Sequence, residues 1–281
     1  MSSSISEFRA RVSRLGAELY REMPWRNIQD AYGVLVSEVM LQQTQVSRVM
    51  DRWPDFMGRF PTADALAAAS TSDVLSAWQG LGYNRRALNL KRACDLISAE
   101  YAGRLPETEA ELRALPGIGP TTAAGVVAFA YDRPAMYLET NVRTVFIHEF
   151  FPDAVKVPDA ELIPLVRDAC PESGVRAWYY ALLDYGAFLK SSLGRKGDPA
   201  RRSAAYARQS AFEGSHRQKR ARLVRIVLDQ PGIASDDALL ALSALEQADG
   251  RPAPAAADFT DMVDELAREG FFSCVDGALT P

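Results

Sequence analysis

Two carboxylates stand out by their surroundings. Glu38 lies in AYGVLVSEVMLQQTQV, between apolar turns, and is followed by Gln42, Gln43, Thr44 and Gln45. Each polar group left unpaired in a buried helix costs about 1–3 kcal/mol, so this cluster is either a solvated helix face or a functional one. In the functional case burial raises the Glu38 pKa and makes the carboxyl a general acid near neutral pH. Glu139 sits in LETNVR, residues 138–143, beside a Thr/Asn pair that marks the start of another helix. Between the two lies LPGIGP, residues 115–120, followed by Thr121, Thr122 and the apolar run 123–130. Gly117 and Gly119 permit positive φ and leave the backbone bare, so N–H groups point outward at a helix start where the dipole is positive. Such a hairpin suits a phosphate.

The elements that must position these groups read as helices. Residues 5–21 form an amphipathic helix stopped at Met23-Pro24-Trp25-Arg26, where Trp25 is either a core anchor or part of a base pocket. Residues 30–59 are strongly periodic, with Val34, Val36, Val39, Met40, Val46 and Met50 available to one buried face. Caps at Pro61–Asp64 and Thr71–Asp73 predict short helices over 62–69 and 71–79. The glycine turn QGLGYNRR, residues 79–86, opens a long helix reaching Tyr101. Its Tyr83, Arg85 and Arg86 either wedge into a duplex and grip phosphate, or are a core aromatic with two solvated arginines. Further helices fall over 140–151 and 158–169, and Trp178–Ala187 is a buried-looking helix closing on glycine. From about residue 218 a separate small domain is expected, with helices near 218–229, 235–247 and 258–269 and a short hairpin within 271–279, a winged-helix arrangement. No other stretch shows strand alternation, so the chain is read as all-α.

With 281 residues, 48% hydrophobic and 24% charged, the chain suits two or three globular domains. No apolar run approaches the roughly 20 residues of a membrane span, and the N-terminus lacks a signal-peptide core, so cytoplasmic residence is expected, nucleoid-associated in a bacterium. Cys94, Cys170 and Cys274 lie too far apart for a sequence-local metal or iron–sulfur cluster. The net charge of −4 conceals an asymmetry: the last 53 residues carry 11 acidic groups against 2 arginines, a balance of −9, which leaves +5 for the first 228. Residues 190–225 alone hold 11 Lys and Arg against Asp198 and Glu213, either a solvated linker or a DNA-tracking surface. The acidic tail itself is a poor DNA reader and is better suited to protein contact or packing.

Taken together, SEVMLQQTQV, GLGY, LPGIG and LETNVR resemble, in order and spacing, the motifs of MutY-type adenine DNA glycosylases of the helix–hairpin–helix superfamily. The resemblance covers roughly residues 20–190. It implies an all-α, two-domain helix–hairpin–helix glycosylase fold with the winged-helix-like domain appended. The expected division is a six-helix domain over 28–135, a second helical domain from 1–27 plus 136–217, and the small domain over 218–281, with DNA lying across the groove between the first two. The implied partner is duplex DNA with a mismatched or damaged base, and the implied state a monomer.

The resemblance also assigns roles. Glu38 matches the general acid that protonates a flipped adenine at N7 and helps to activate water. Glu139 matches an aspartate that stabilises or traps the oxocarbenium-like sugar, by a logic that parallels glycoside hydrolysis, where one carboxyl works protonated and one ionised. Trp25 and Arg26 match the base pocket, Gln43 and Tyr83 contact or wedge the pair, and Gly117 and Gly119 grip phosphate. Arg85, Arg86, Lys190, Arg195 and Lys196 are expected on the DNA backbone. Thr121 stands where glycosylase-lyases carry a Schiff-base lysine, so base removal without strand cleavage is expected. Three departures are visible. Lys190 replaces the first of four cluster cysteines, so no iron–sulfur cluster or other cofactor is expected, apart from an alkali metal ion at the hairpin in the DNA complex. Glu139 is one methylene longer than the family's aspartate. Nothing after residue 220 resembles a Nudix-like domain that reads 8-oxoguanine. The expected activity is removal of adenine opposite guanine or 8-oxoguanine. The rivals are a glycosylase for hypoxanthine, oxidised adenine or thymine, and a non-catalytic binder of distorted DNA.

Overall fold

The computed structural model describes residues 4–207 and 211–281. Helix α1 (Ile5–Glu18) starts on a capping box in which Ser4 Oγ accepts from the Glu7 N–H and the Glu7 carboxylate accepts from the Ser4 N–H. Helices α2 (Ala31–Leu41) and α3 (Val46–Arg59) share the periodic stretch, yet the helix does not run through it: the chain turns over 42–45, with Gln43 at φ 53°. The polar cluster after Glu38 is thus a turn and not part of a buried helix. The turn also resets the face, so α3 buries Val49, Trp53 and Phe56 while Val46 and Met50 are half-buried.

Helices α4 (Ala63–Ala68) and α5 (Thr71–Ala77) begin on the hydroxyls of Thr62 and Ser70, and α6 (Arg85–Glu100) follows the glycine turn. Helices α7 (Glu109–Ala114) and α8 (Pro120–Tyr131) flank the hairpin. After α9 (Thr140–Phe150) and α10 (Asp159–Ala169) comes α11 (Val175–Gly197), which does not close at Gly186 but continues to a kink at Gly194. A 3-10 turn (Pro199–Arg202) precedes α12 (His216–Asp229), α13 (Ser235–Ala248) and α14 (Ala256–Glu269). Strands β1 (Ile233–Ala234), β2 (Ser273–Val275) and β3 (Ala278–Thr280) form an antiparallel sheet in the order β1-β3-β2. Its hairpin turns on Asp276-Gly277, both at positive φ, as a two-residue connection between right-twisted strands requires. Helix, strand, two helices and hairpin make a winged-helix order.

The chain packs as two compact units, Met1–Val39 with Leu105–Arg208 and Met40–Arg104 with Gln209–Pro281. These divisions fall elsewhere than the boundaries read from sequence, for a packing reason. Ala124, Ala128 and Phe129 of α8 share one buried core with Phe8 and Val12 of α1, Phe146 of α9, Leu162 of α10 and Tyr179 of α11. In the second unit α12 packs on α5 and α13, so the C-terminal helices belong with α3–α6. Among the described residues no helix is long and apolar enough to cross a membrane.

The basic segment is largely occupied by intramolecular work. Arg202 donates to the Phe151 and Pro152 carbonyls, Arg220 pairs with Glu265 and Glu269, Arg222 with Glu246 and Asp249, and Arg225 with Asp229. Acidic groups of the second unit therefore neutralise Arg220, Arg222 and Arg225 of the basic run, three of its eleven cations.

Candidate active site

Glu38 is held by close approach. A Cβ on Gly125 of α8 would lie 2.3 Å from Glu38 Oε2 and 2.9 Å from both Glu38 Cδ and Tyr137 Cε2, so only glycine leaves room for the carboxyl. Tyr137 hydrogen-bonds the carboxyl through its hydroxyl and sets its ring edge-on to Phe129 at 5.0 Å and to Tyr179 at 5.4 Å. Surrounded by this mass yet keeping a narrow window to solvent, Glu38 is desolvated: burial, with the nearby Glu139 charge adding to it and the Tyr137 hydrogen bond opposing it, pushes its pKa up to about 8. It is a protonated acid at neutral pH.

Glu139 is the N-cap of α9. Its Oε1 accepts from the N–H groups of Asn141 at 2.5 Å and Val142 at 3.0 Å. Burial raises its pKa, while the Val142 N–H, Lys190, the Asn141 N–H and Arg143 oppose that shift. These donors and cations act on Glu139 and not on Glu38, so they favour the anionic form at position 139 more than anything does at position 38. The two carboxyls of the first unit are thereby set in unlike surroundings, Glu38 beside a single hydroxyl donor and Glu139 among backbone donors and cations.

Arg26 does not face a base. Its guanidinium is buried and bidentate on Asp184, at 2.6 and 2.9 Å, donates to the Arg21 carbonyl, and lies 4.5 Å from the Tyr180 ring centroid. The expected base contact is replaced by an internal one, because a carboxylate in an apolar helix must find a cation. Tyr180 in turn stacks on Phe129 at 4.6 Å, so the pair braces the aromatic wall near Glu38. Trp25 is buried in the turn before α2. Arg26→Met should destabilise the protein by about 3 kcal/mol, the low end for a broken buried pair because Arg21 still reaches Asp184. Denaturant unfolding checks this; a loss under about 1 kcal/mol would show the pair to be dispensable.

In the second unit Arg86 likewise departs from the expected phosphate contact. It donates to the carbonyls of Met40, Gln42, Leu81 and Gly82 and to Thr44 Oγ1, at 2.7–3.3 Å, and so staples the 42–45 turn to the glycine turn. Both turns carry a strained non-glycine residue, Gln43 at φ 53° and Tyr83 at φ 49°. They line one cavity of about 1080 Å³, with Arg48 and, from the C-terminal part, Phe212 and Arg217. Arg217 donates to the Tyr83 hydroxyl and lies 5.3 Å from its ring centroid. Arg85 is exposed at the start of α6.

The hairpin is open. Gly117, at φ 76°, and Gly119, the N-cap of α8, are exposed, and a Cβ on Gly119 would meet nothing within 4 Å. Thr121 is exposed on the first turn of α8. Lys190 donates to Asn141 Oδ1 at 2.7 Å, Lys196 is exposed near the end of α11, and the Arg195 side chain lies outside the described set.

Residues 36–162 match the model of the HhH-GPD superfamily of base excision DNA repair proteins. The adenine DNA glycosylase of Mycobacterium tuberculosis (strain CDC 1551 / Oshkosh) is 36% identical over 230 residues, covering 74% of each chain. The chain belongs to the MutY-type adenine DNA glycosylases. The mouse member is 35% identical over 152 residues, 51% of this chain and 30% of its own. Among solved structures, a thermostable thymine-DNA glycosylase superposes with a TM-score of 0.59 at 22% identity, covering 66% of this chain and 87% of its own, and an endonuclease III–DNA complex with 0.57 at 18%, covering 68% and 89%. These likenesses concern the fold.

Within this glycosylase the structure brings together Glu38, Glu139 and Lys190 in the first unit and gathers Gln43, Tyr83 and Arg86 in the second. Sequence reasoning missed Gly125, Asp184 and Tyr137. The first two left a trace, since a glycine inside TTAAGVVAF and an aspartate inside WYYALLDYG each break an apolar helix for no local reason. Tyr137 left none: its role depends on where α2 lies.

Proposed function

We propose that the protein excises adenine from mismatched duplex DNA, opposite guanine or 8-oxoguanine, by hydrolysing the N-glycosidic bond. The observation that carries this reading is the pair of unlike carboxyls: a desolvated, protonated Glu38 and a capped Glu139 held in the same unit. Glu38 donates its proton to adenine N7, which makes the departing base neutral. As the bond lengthens, positive charge develops on the sugar and Glu139 stabilises it. Glu38, now a carboxylate, then takes a proton from the attacking water. Thr121 offers no amine to form a Schiff base, so the product is an abasic site with an intact strand.

No cofactor enters this scheme. A [4Fe–4S] cluster needs four thiolates, the chain has three cysteines in all, and these are a buried Cys94, a half-buried Cys170 and an exposed Cys274. The opposite base is read by the second unit, where strained Gln43 and Tyr83 and the cationic Arg217 line the cavity. The test is a panel of duplexes carrying each base pair, assayed with and without alkali. Release should appear for adenine opposite guanine and 8-oxoguanine, and strands should break only after alkali. Release of thymine or hypoxanthine in preference to adenine, or binding without release, would replace this reading by one of its rivals.

A further inference from the structure

Helix α11 crosses the start of α9 at backbone contact. A Cβ on Gly186 would lie 2.4 Å from the Asn141 carbonyl oxygen and 2.7 Å from Asn141 Cβ, so the two helices meet there only because the side chain is absent. One helical turn further on, on the same face, Lys190 donates from Nζ to Asn141 Oδ1 at 2.7 Å. The main-chain N–H of Asn141 donates to Glu139 Oε1 at 2.5 Å. Asn141 is therefore a connector, held at its side chain by Lys190 and holding Glu139 with its backbone.

The charges facing Glu139 come from each neighbouring element. Glu38 of α2 and the Tyr137 hydroxyl act as acids on one side. Arg143 of α9 is positive and acts on Glu139, but it sits bidentate on Asp159 of α10, at 2.8 and 2.7 Å, whose negative charge opposes its field. The hydrogen-bond partner of Lys190 is a neutral amide, which leaves its charge to act on Glu139. We propose that Lys190 is a positioning residue for Glu139: it fixes the cap through Asn141 and supplies the counter-charge for the carboxylate that works on the sugar. This rests on the reading of Glu139 as the sugar-side carboxylate. Lys190 then serves the reaction from inside the protein and not as a phosphate contact.

The test uses the full-length protein with Lys190→Gln, Lys190→Met and Lys190→Arg. In single-turnover base release across pH 5–9, the Gln and Met variants should lose about 10- to 100-fold at neutral pH, and their acid limb should move up by at least about half a pH unit. Lys190→Arg should keep the wild-type limb. Affinity for a duplex with an uncleavable abasic analogue should change less than about threefold, since a phosphate contact would show there. A second readout is independent of turnover: the 13C NMR titration of Glu139 in a Glu38→Gln background, assigned by its loss in Glu139→Gln. It should shift upward when Lys190→Gln is added. An unmoved NMR titration, or a loss confined to affinity, overturns the proposal. If the wild-type protein releases no base, the functional reading falls, while the NMR titration still decides the link between Lys190 and Glu139.

Discussion

Glu38→Gln should abolish base release, by at least about 10³-fold in single turnover, while affinity for substrate duplex stays within a few-fold of wild type. The amide matches the carboxyl in size and polarity, so the packing against Gly125 and Tyr137 persists, but it has no proton to give to N7. Unchanged release would sink the mechanism outright. The pH dependence carries the same signature. With the acid form needed and its pKa raised to about 8 by burial, wild-type release should fall as pH rises past about 8.

Stability follows with a definite sign. Between its ordinary value of 4.5 and about 8, Glu38 holds a proton in the folded protein that the unfolded chain has given up. Its contribution is fully present below 4.5 and is lost as pH rises through about 8. Glu38→Gln removes this slope, so its Tm should drop less between pH 5 and pH 8.5 than that of wild type. A parallel decline in both proteins would count against a desolvated acid at this position.

Gly125→Ala should also be damaging, although it changes neither charge nor any acid–base group. Glycine inside a helix is usually worth replacing, since alanine gains about 1 kcal/mol in propensity. Here the new methyl group would lie 2.3 Å from Glu38 Oε2, nearer than real side chains approach, with Tyr137 2.9 Å away on another side. The carboxyl must swing or the ring must shift, and either displaces the acid from its donor geometry. We expect base release to drop about 100-fold. Thermal unfolding should show no gain, as overpacking of about 1–3 kcal/mol cancels the helical benefit. A rate within threefold of wild type together with a raised Tm would mean that the pocket is slack enough to accept the methyl.

Much of the fold was legible because its signals are local. The caps at 61–64 and 71–73, glycines at 117 and 119 and the short hairpin within 271–279 act within a few residues, and each appears in the structure where the pattern placed it or close by. The 42–45 turn was not legible. Val46 and Met50 continue the apolar rhythm across it, and what makes the turn tenable is Arg86, more than forty residues away, satisfying its carbonyls.

The site divides in the same manner. Glu38 and Glu139 announced themselves by type and setting. Arg26, expected as a base contact, sits on Asp184, 158 residues distant, and Lys190, expected on the DNA backbone, donates to Asn141, 49 residues away. Arginine and lysine look alike on paper whether they meet a phosphate or a buried acceptor. Only the fold distinguishes the two, and in both cases it chose the internal partner.

The interleaving of the units bears on how the protein is made. Phe8 of α1 rests edge-on against Trp178 of α11 at 5.9 Å, so α1 meets this partner only about 170 residues later in the chain. At about 5–20 residues per second that is a wait of roughly 10–35 s. During it the apolar stripe of α1 has only part of its native cover, from Phe146 and Phe150 of α9 once these are made, and the first unit cannot close until α11 has been synthesised. The second unit closes later still, after α12 emerges to meet α5. Translation order and folding order are therefore out of step in this chain.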